Sequence, residues 1–537
     1  MICHLRRWWS NPLFLLGLTA GLGAFVVQSG ELGTADTTHR LQTTHSIWTS
    51  QPEVFPDEYP EFGVHGRGGK LHSWYGMGQS LLMLPPDVVG TYLGKLPIFA
   101  RYDDTDPTVR SIFVSYSTNI LVAVLTALLC FRLLDQLSFT TNQSVAGVLA
   151  LLFCTTHLHY TQNMAENNYI MLLVMAGFSY QYEWLRTGSK RALFVGSAAF
   201  GLNLLTRLTT GLDLMAGGLF ILLVMWFRRA HDQWWRQVQD YLKTSLPVYA
   251  VFILIDRIYQ YVRFGSFFNT YVSVFAREYL QLDPSLPSNY PWTTPFHEGF
   301  IGPFVVPEKS IFLFDPLLVL SILVVIIGWK RFLPEVKAYV VTVFFLLLAY
   351  ISFYARYYMW SGDFAWGDRY VSTTVQFAAL ISVPTLLRYR VELGKLIWVI
   401  GVSLVAVSAI VQFSSLAFWL PLEIYQMETL GHPTFVIALR LKNIVAFALG
   451  RMDQWGLVNH PMMEDSWDYV HITTWNFLPF LLRRVGEAPR WVVNLAFAIW
   501  ALGIATLGLT VCRLRTVVRT RFLTISSLAN SNRGVGS

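Results

Sequence analysis

Apolar residues in this chain come in blocks, and several blocks approach the roughly 20 residues needed to cross the hydrocarbon core of a bilayer. They follow neither the alternation of a half-buried strand nor the stripe of a surface helix. A backbone in lipid must satisfy its own hydrogen bonds, so such blocks are expected to be helices. Composition agrees: 54% of residues are hydrophobic and 14% charged, where soluble domains carry about a quarter charged. The blocks fall at 12–28, 111–134, 142–157, 169–184, 192–205, 212–227, 246–261, 311–329, 338–354, 371–387, 396–416 and 491–511. The expected fold class is therefore an all-α membrane protein with about twelve transmembrane helices. Residues 1–537 read as one polytopic domain, without internal repeat or low-complexity linker. Arg6 and Arg7 precede the first block as in a signal sequence, but Gln28-Ser29-Gly30-Glu31 is a poor cleavage site, which favours an uncleaved first helix.

The net charge of +7 does not indicate nucleic acid. The basic residues cluster in short loops, and no zinc spacing, phosphate-cradling glycine loop or basic tail is present. Arg6-Arg7, Arg186/Lys190/Arg191, Arg228/Arg229/Arg236, Lys330/Arg331/Lys337, Arg388/Arg390/Lys395 and Arg513/Arg515/Arg519/Arg521 share one side if the count is about twelve. The positive-inside rule makes that side, with both termini, cytoplasmic. Counting 81–100 as a span would invert every later loop. That segment, with Pro85, Pro86, Asp87 and Lys95, is read as interfacial, lying along the outer surface. The outer pieces are then 29–110, 262–310, 356–370 and 417–490, with a second amphipathic helix expected at 434–449. None contains a cysteine, so no disulfide framework is implied.

The outer pieces hold the candidate chemistry. Asp36 lies just past the first block, in Thr34-Ala35-Asp36-Thr37-Thr38-His39-Arg40. A partly desolvated carboxylate there suits a general base; alternatively it caps a helix from Thr37 onward, and sequence physics alone favours the cap. Gly66 to Gln79 offers Arg67 and Lys70 for phosphate, Trp74 and Tyr75 for a sugar face, and glycines for close backbone approach. An ordinary turn with interfacial aromatics explains that stretch equally well. In 356–370, Arg369 would open the next helix at the lipid border, where a fixed guanidinium suits an oxyanion; the alternatives are an ion pair to Asp368 or Asp363, or snorkelling. His157, His159, Glu166, Asn167, Arg207, Asp213, Asp256 and Arg257 share the same side, which points to a polar cavity more than any one of them does. The His pair lacks a third ligand at metal spacing, so no metal and no cofactor is expected.

Four stretches carry a family resemblance: Thr34 to Arg40; Gly69 to Gly78 with Leu84-Pro85; Glu308-Lys309-Ser310-Ile311-Phe312-Leu313-Phe314-Asp315-Pro316; and Trp360-Ser361-Gly362-Asp363-Phe364-Ala365-Trp366-Gly367-Asp368-Arg369-Tyr370. Over about 12–387 the chain resembles the GT-C superfamily of polytopic glycosyltransferases, which includes the protein O-mannosyltransferases and lipid A aminoarabinose transferases. The resemblance implies transfer of a sugar from a polyprenyl-phosphate donor, with inversion, to an envelope glycan, lipid or protein acceptor on the outer side of the inner (plasma) membrane. It implies Asp36 as the base and Lys70 and Arg369 as holders of the donor phosphate. His39, Arg40, His72, Tyr75, Glu166, Trp360 and Asp363 are the expected substrate contacts. The chain departs from the pattern at Thr37, where several members carry a second acidic residue. No nucleotide is needed, in keeping with the lack of a Rossmann or P-loop signature.

A secondary transporter or lipid-linked sugar flippase is the rival reading. Transporters bind near the bilayer midplane, often at broken helices in repeated halves, whereas here polar residues crowd the outer border. A scaffold presenting its outer loops to a partner is the non-catalytic alternative.

Overall fold

The computed structural model describes residues 8–100, 107–229, 234–430, 434–452, 467–485 and 488–531. Cys3, Arg6, Arg7 and Asp453 lie outside them. The chain is mostly helical, and each apolar block falls on helix. In order these are α1 (Pro12–Val27), α2 (Ala35–Ser46), a hairpin of β1 (Gly63–His65) and β2 (Leu71–Ser73), α3 (Met77–Gly94), α4 (Val109–Gln136), α5 (Thr141–Cys154), α6 (His157–Gln162), α7 (Glu166–Thr187), α8 (Lys190–Leu204) and α9 (Gly211–Arg228). Next come α10 (Trp234–Phe264), α11 (Tyr271–Leu282), α12 (Phe296–Val305), α13 (Ile311–Phe314), α14 (Leu317–Gly328), α15 (Pro334–Tyr354), α16 (Ser372–Ala379), α17 (Ser382–Arg388) and α18 (Arg390–Ser414). Last are α19 (Pro421–Leu430), α20 (Val436–Ala448), α21 (Trp467–Ile472), α22 (Leu478–Arg484) and α23 (Arg490–Ser531).

Five helices are long and apolar enough to cross a membrane: α4, α9 with its leading turn, α15, α18 and α23 up to Thr520. Their outer faces have no protein cover. On α18, Leu396, Val399, Val402, Val407, Ile410 and Phe413 are exposed, as are Trp491, Leu495, Ile499, Leu502 and Leu509 on α23. In water, apolar patches of that extent are rare; in lipid they are the expected surface. The architecture is that of an all-α membrane protein.

Three blocks that read as continuous are broken. Residues 142–157 stop at Thr155-Thr156 between α5 and α6, 311–329 at Asp315-Pro316, and 371–387 at Leu380-Ile381. Side chains take up the backbone groups freed at the first break. Asp315 accepts from the Thr156 backbone N–H (2.7 Å) and hydroxyl (3.0 Å), and Gln376 donates to the same hydroxyl (3.0 Å). Such breaks are tolerated at membrane depth only where protein re-satisfies the backbone.

The segment read as interfacial, 81–100, is helical over α3 in spite of Pro85 and Pro86. It packs against α2 and α4, held by a buried hub. Asp87 accepts from Arg110 Nε (2.6 Å) and Trp48 Nε1 (2.8 Å) and lies 3.0 Å from His45 Nδ1. The charged residue that argued against a span is thus the group that fastens α3 to its neighbours. The later amphipathic segment, 434–449, forms α20.

Candidate functional site

The start of the 29–110 segment is shaped by local capping. Thr34 is the N-cap of α2, its hydroxyl accepting from the Thr37 N–H (3.2 Å). The reading of Asp36 as a cap is therefore wrong: Asp36 is the second helical residue, and its carboxylate points away from the helix N–H groups. One oxygen accepts from Arg369 (2.6 Å) and the other from the Tyr75 hydroxyl (2.8 Å). Arg369 pairs across 333 positions of sequence, with neither Asp368 nor Asp363 taking that role.

One turn on, at i+4, Arg40 lies on the same face of α2 as Asp36. Its guanidinium stacks on the Tyr75 ring (4.4 Å) and pairs with Glu166 (3.0 Å) at the first turn of α7. Glu166 also pairs with Arg207, whose guanidinium lies 5.3 Å from the Tyr370 ring centre, as does that of Arg369. Asp36, Arg40, Tyr75, Glu166 and Arg369 thus form one connected cluster, extended by Arg207 and Tyr370.

Its electrostatics are unbalanced. Three guanidiniums face two carboxylates, an excess of one positive charge. Burial by itself raises the Asp36 carboxyl, but the Arg369 and Arg40 guanidiniums overcome it and hold the group well below the usual carboxylate range. Arg369 Nε is buried and has no acceptor among the described residues. A guanidinium with an unused donor, in a locally cationic site, has the chemistry to hold an oxyanion.

The other expected residues make their bonds and ring contacts outside that cluster. Lys70 is exposed beyond the hairpin turn, where its carbonyl accepts from Gly66, and is not among the cations acting on Asp36. His72 pairs with Glu53 (2.6 Å), which also takes Ser73 and Arg263; this brace ties β2 to α10. His39, at i+3 from Asp36 and within reach of its charge, is stacked on Phe62 (3.9 Å) and lies 3.7 Å from Glu58. Trp360 packs over Gly302 of α12, and Asp363 offers its carbonyl to Lys309. The glycines of Gly76-Met77-Gly78 do allow close approach, but to protein. A Cβ at Gly76 would sit 2.3 Å from the Thr206 carbonyl oxygen, and one at Gly78 2.7 Å from the Thr206 nitrogen. They seat the segment that leads into Arg207.

Described residues of 417–490 pack against the start of 29–110. His471 pairs with Glu31 (2.6 Å) and stacks on Trp419 (3.9 Å). Trp419, Leu420 and Pro421 form one wall of a cavity of about 900 Å³ whose other wall includes Ala35, Thr38 and His39 of α2. Among the described residues no group of three His, Cys, Asp or Glu is placed to hold a metal. Sequence reasoning missed Lys309 as a site residue and placed Arg207 only in the group of polar residues that share one side. The usable signal for Arg207 was its sidedness at the border; Lys309 had none beyond its quoted motif. No protein-family model matches the chain, and no curated protein matches it.

Proposed function

We propose that the protein is a polytopic membrane glycosyltransferase that moves a sugar from a polyprenyl-phosphate donor to an envelope glycan, lipid or protein acceptor. The observation that carries this reading is the cluster at Asp36: an ionised carboxylate, a shared Arg369 with an unused Nε, and one positive charge in excess. In the reaction the acceptor hydroxyl attacks the anomeric carbon, the bond from that carbon to the phosphate oxygen breaks, and the hydroxyl proton passes to Asp36. The phosphate leaves with the bonding electron pair and stays on Arg369, where a fixed cation counts most in the transition state.

The resting ion pair adds a control. A carboxylate held so far below its usual range is a weak base. A donor phosphate that bonds to the unused Arg369 Nε shares the guanidinium with Asp36 and offsets part of the positive charge acting on it, which raises its basicity. The base is then strengthened when the donor is bound, and the empty site is spared wasteful proton transfer.

In this reading about twelve spans alternate, both termini are cytoplasmic, and the cluster opens to the outer face of the plasma membrane. The breaks at Thr155-Thr156, Asp315-Pro316 and Leu380-Ile381 favour a second reading, a transporter or flippase of lipid-linked sugars. Purified protein in lipid, given a panel of polyprenyl-phosphate sugars, separates the two. Asp36-dependent release or transfer of the sugar supports the enzyme. Movement of intact donor between leaflets, unaltered in Asp36→Asn, overturns it.

A further inference from the structure

The segment that delivers Arg369, residues 361–371, has no regular structure, and side chains from distant elements hold its carbonyls one at a time. Tyr160 donates to the Trp366 carbonyl (2.9 Å) and Asn167 to that of Arg369 (2.6 Å). Three more converge on a single atom: Lys309 Nζ donates to the carbonyls of Asp363, Ala365 (2.8 Å) and Gly367 (3.4 Å). An ammonium has three N–H donors and no acceptor, so this arrangement uses it fully. The carbonyls surround it as they would a small bound cation. Lys309 is buried, and the path of the loop around it needs positive φ at Gly362, Asp363 and Gly367.

We propose that Lys309 is a positioning residue for Arg369: residues 363–367 fold around its ammonium as an internal cation, and that fold aims the Arg369 guanidinium at Asp36. The position is set independently of the loop. Lys309 lies between α12 and α13, its own N–H bonded to the Val306 carbonyl (3.0 Å), and the next residue, Ser310, donates to Phe304 (3.1 Å). Gly367 stands two residues before Arg369, so a shift of the loop at Gly367 passes directly to the guanidinium. The functional consequence rests on the phosphate-binding reading given above; the loop geometry does not.

The test uses the full chain in lipid nanodiscs. Undecaprenyl phosphate is the binding probe, and amide hydrogen exchange of 361–371 reports the loop. Lys309→Met is expected to speed exchange in that segment, leave α2 unchanged, and weaken probe binding by roughly tenfold, the scale of one charge-assisted hydrogen bond. Lys309→Arg is expected not to restore binding, because a planar fork does not direct its donors to three carbonyls around one point. Lys309→Ala leaves room for a small amine beside the cavity of about 140 Å³ that Lys309 lines. Adding n-propylammonium should then recover binding in this variant and in no other. Unchanged loop exchange in Lys309→Met overturns the proposal. If that variant does not fold, failure of n-propylammonium to recover Lys309→Ala overturns it instead. If wild-type protein does not bind undecaprenyl phosphate, the phosphate reading fails, while loop exchange and its recovery by the amine still decide the role of Lys309.

Discussion

At the scale of single residues, Asp36 and Arg369 make separable predictions. Because Thr34 is the cap, Asp36→Asn removes no cap bond, but it takes the charge from the partner of Arg369 and is expected to lower the thermal midpoint while the chain still folds. Sugar transfer should fall by about 10²–10⁴-fold, the range for loss of a positioned base. A fully active Asn variant would make Asp36 a structural partner of Arg369. Arg369→Ala should weaken donor binding as well as turnover, and Arg369→Lys should restore it only in part, since an ammonium cannot keep Asp36 and a phosphate on one planar fork; unchanged affinity in both would remove Arg369 from the site. Lys309 adds a pH effect. Burial pushes its ammonium down to about 8, opposed by Asp368 and Asp363 on the loop and by Glu423 of α19, while Arg369 adds to the depression. Asp368 itself is raised to about 7 by burial. The unfolded chain therefore binds more protons at position 309 between about 8 and the ordinary lysine value, so the Lys309 contribution to stability rises with pH in that window. The loop meanwhile loses its cation, so probe binding should decline as pH passes about 8. Lys309→Met should show neither step; a binding profile identical to wild type would exclude Lys309 as its origin.

At the scale of elements, what the sequence could tell follows from what each block must satisfy. A backbone in lipid bonds to itself, so the positions of the helices were legible from hydropathy alone. The breaks were not, because Thr155, Asp315 and Leu380 sit inside blocks whose average stays apolar, and the compensating bonds come from other helices. The site was legible in part for the same reason. Asp36 and Arg369 were each recognisable at a border, but their pairing depends on how α2 and the 361–371 loop pack. Lys70 and Lys309 show the limit more sharply. Both are lysines in quoted motifs, and only packing distinguishes the exposed turn from the buried peg. Gly76 and Gly78 carry an element-level prediction. Gly76→Ala places a methyl against the backbone of Thr206, which cannot swing aside as a side chain would. The 205–207 segment must move, and Arg207 with it, away from Glu166 and Tyr370. Activity and thermal stability should both drop, by about 1–3 kcal/mol for the overpacking. Wild-type behaviour of Gly76→Ala would mean that this seat is loose and that Arg207 is placed by Glu166 alone.

At the scale of the molecule, the cluster can meet a lipid-linked donor only if its border faces the compartment where that donor's headgroup is presented, so the topology is part of the mechanism. Short-loop charge sets the prediction: Arg186, Lys190 and Arg191 join α7 to α8, Arg228 and Arg229 end α9, and Arg388 and Arg390 join α17 to α18. All three connections are basic, and none carries a residue of the Asp36 cluster. The cluster lies at the opposite ends of these helices: Glu166 opens α7 at the end remote from Arg186, and Arg207 precedes α9 at the end remote from Arg228. Charge and site thus divide the same helices in the same sense, which is independent of the exact number of spans. Single cysteines near Arg67 should therefore react with an impermeant maleimide added to intact cells, and those near Arg229 and Arg388 should react only after permeabilisation. The test needs a background with Cys3→Ser and Cys512→Ser, because Cys512 is exposed and Cys3 lies outside the described residues, whereas Cys130 and Cys154 are buried. Labelling near Arg229 from outside would invert the map, put Asp36 and Arg369 on the cytoplasmic face, and leave the donor-phosphate reading without access to an outward-facing headgroup.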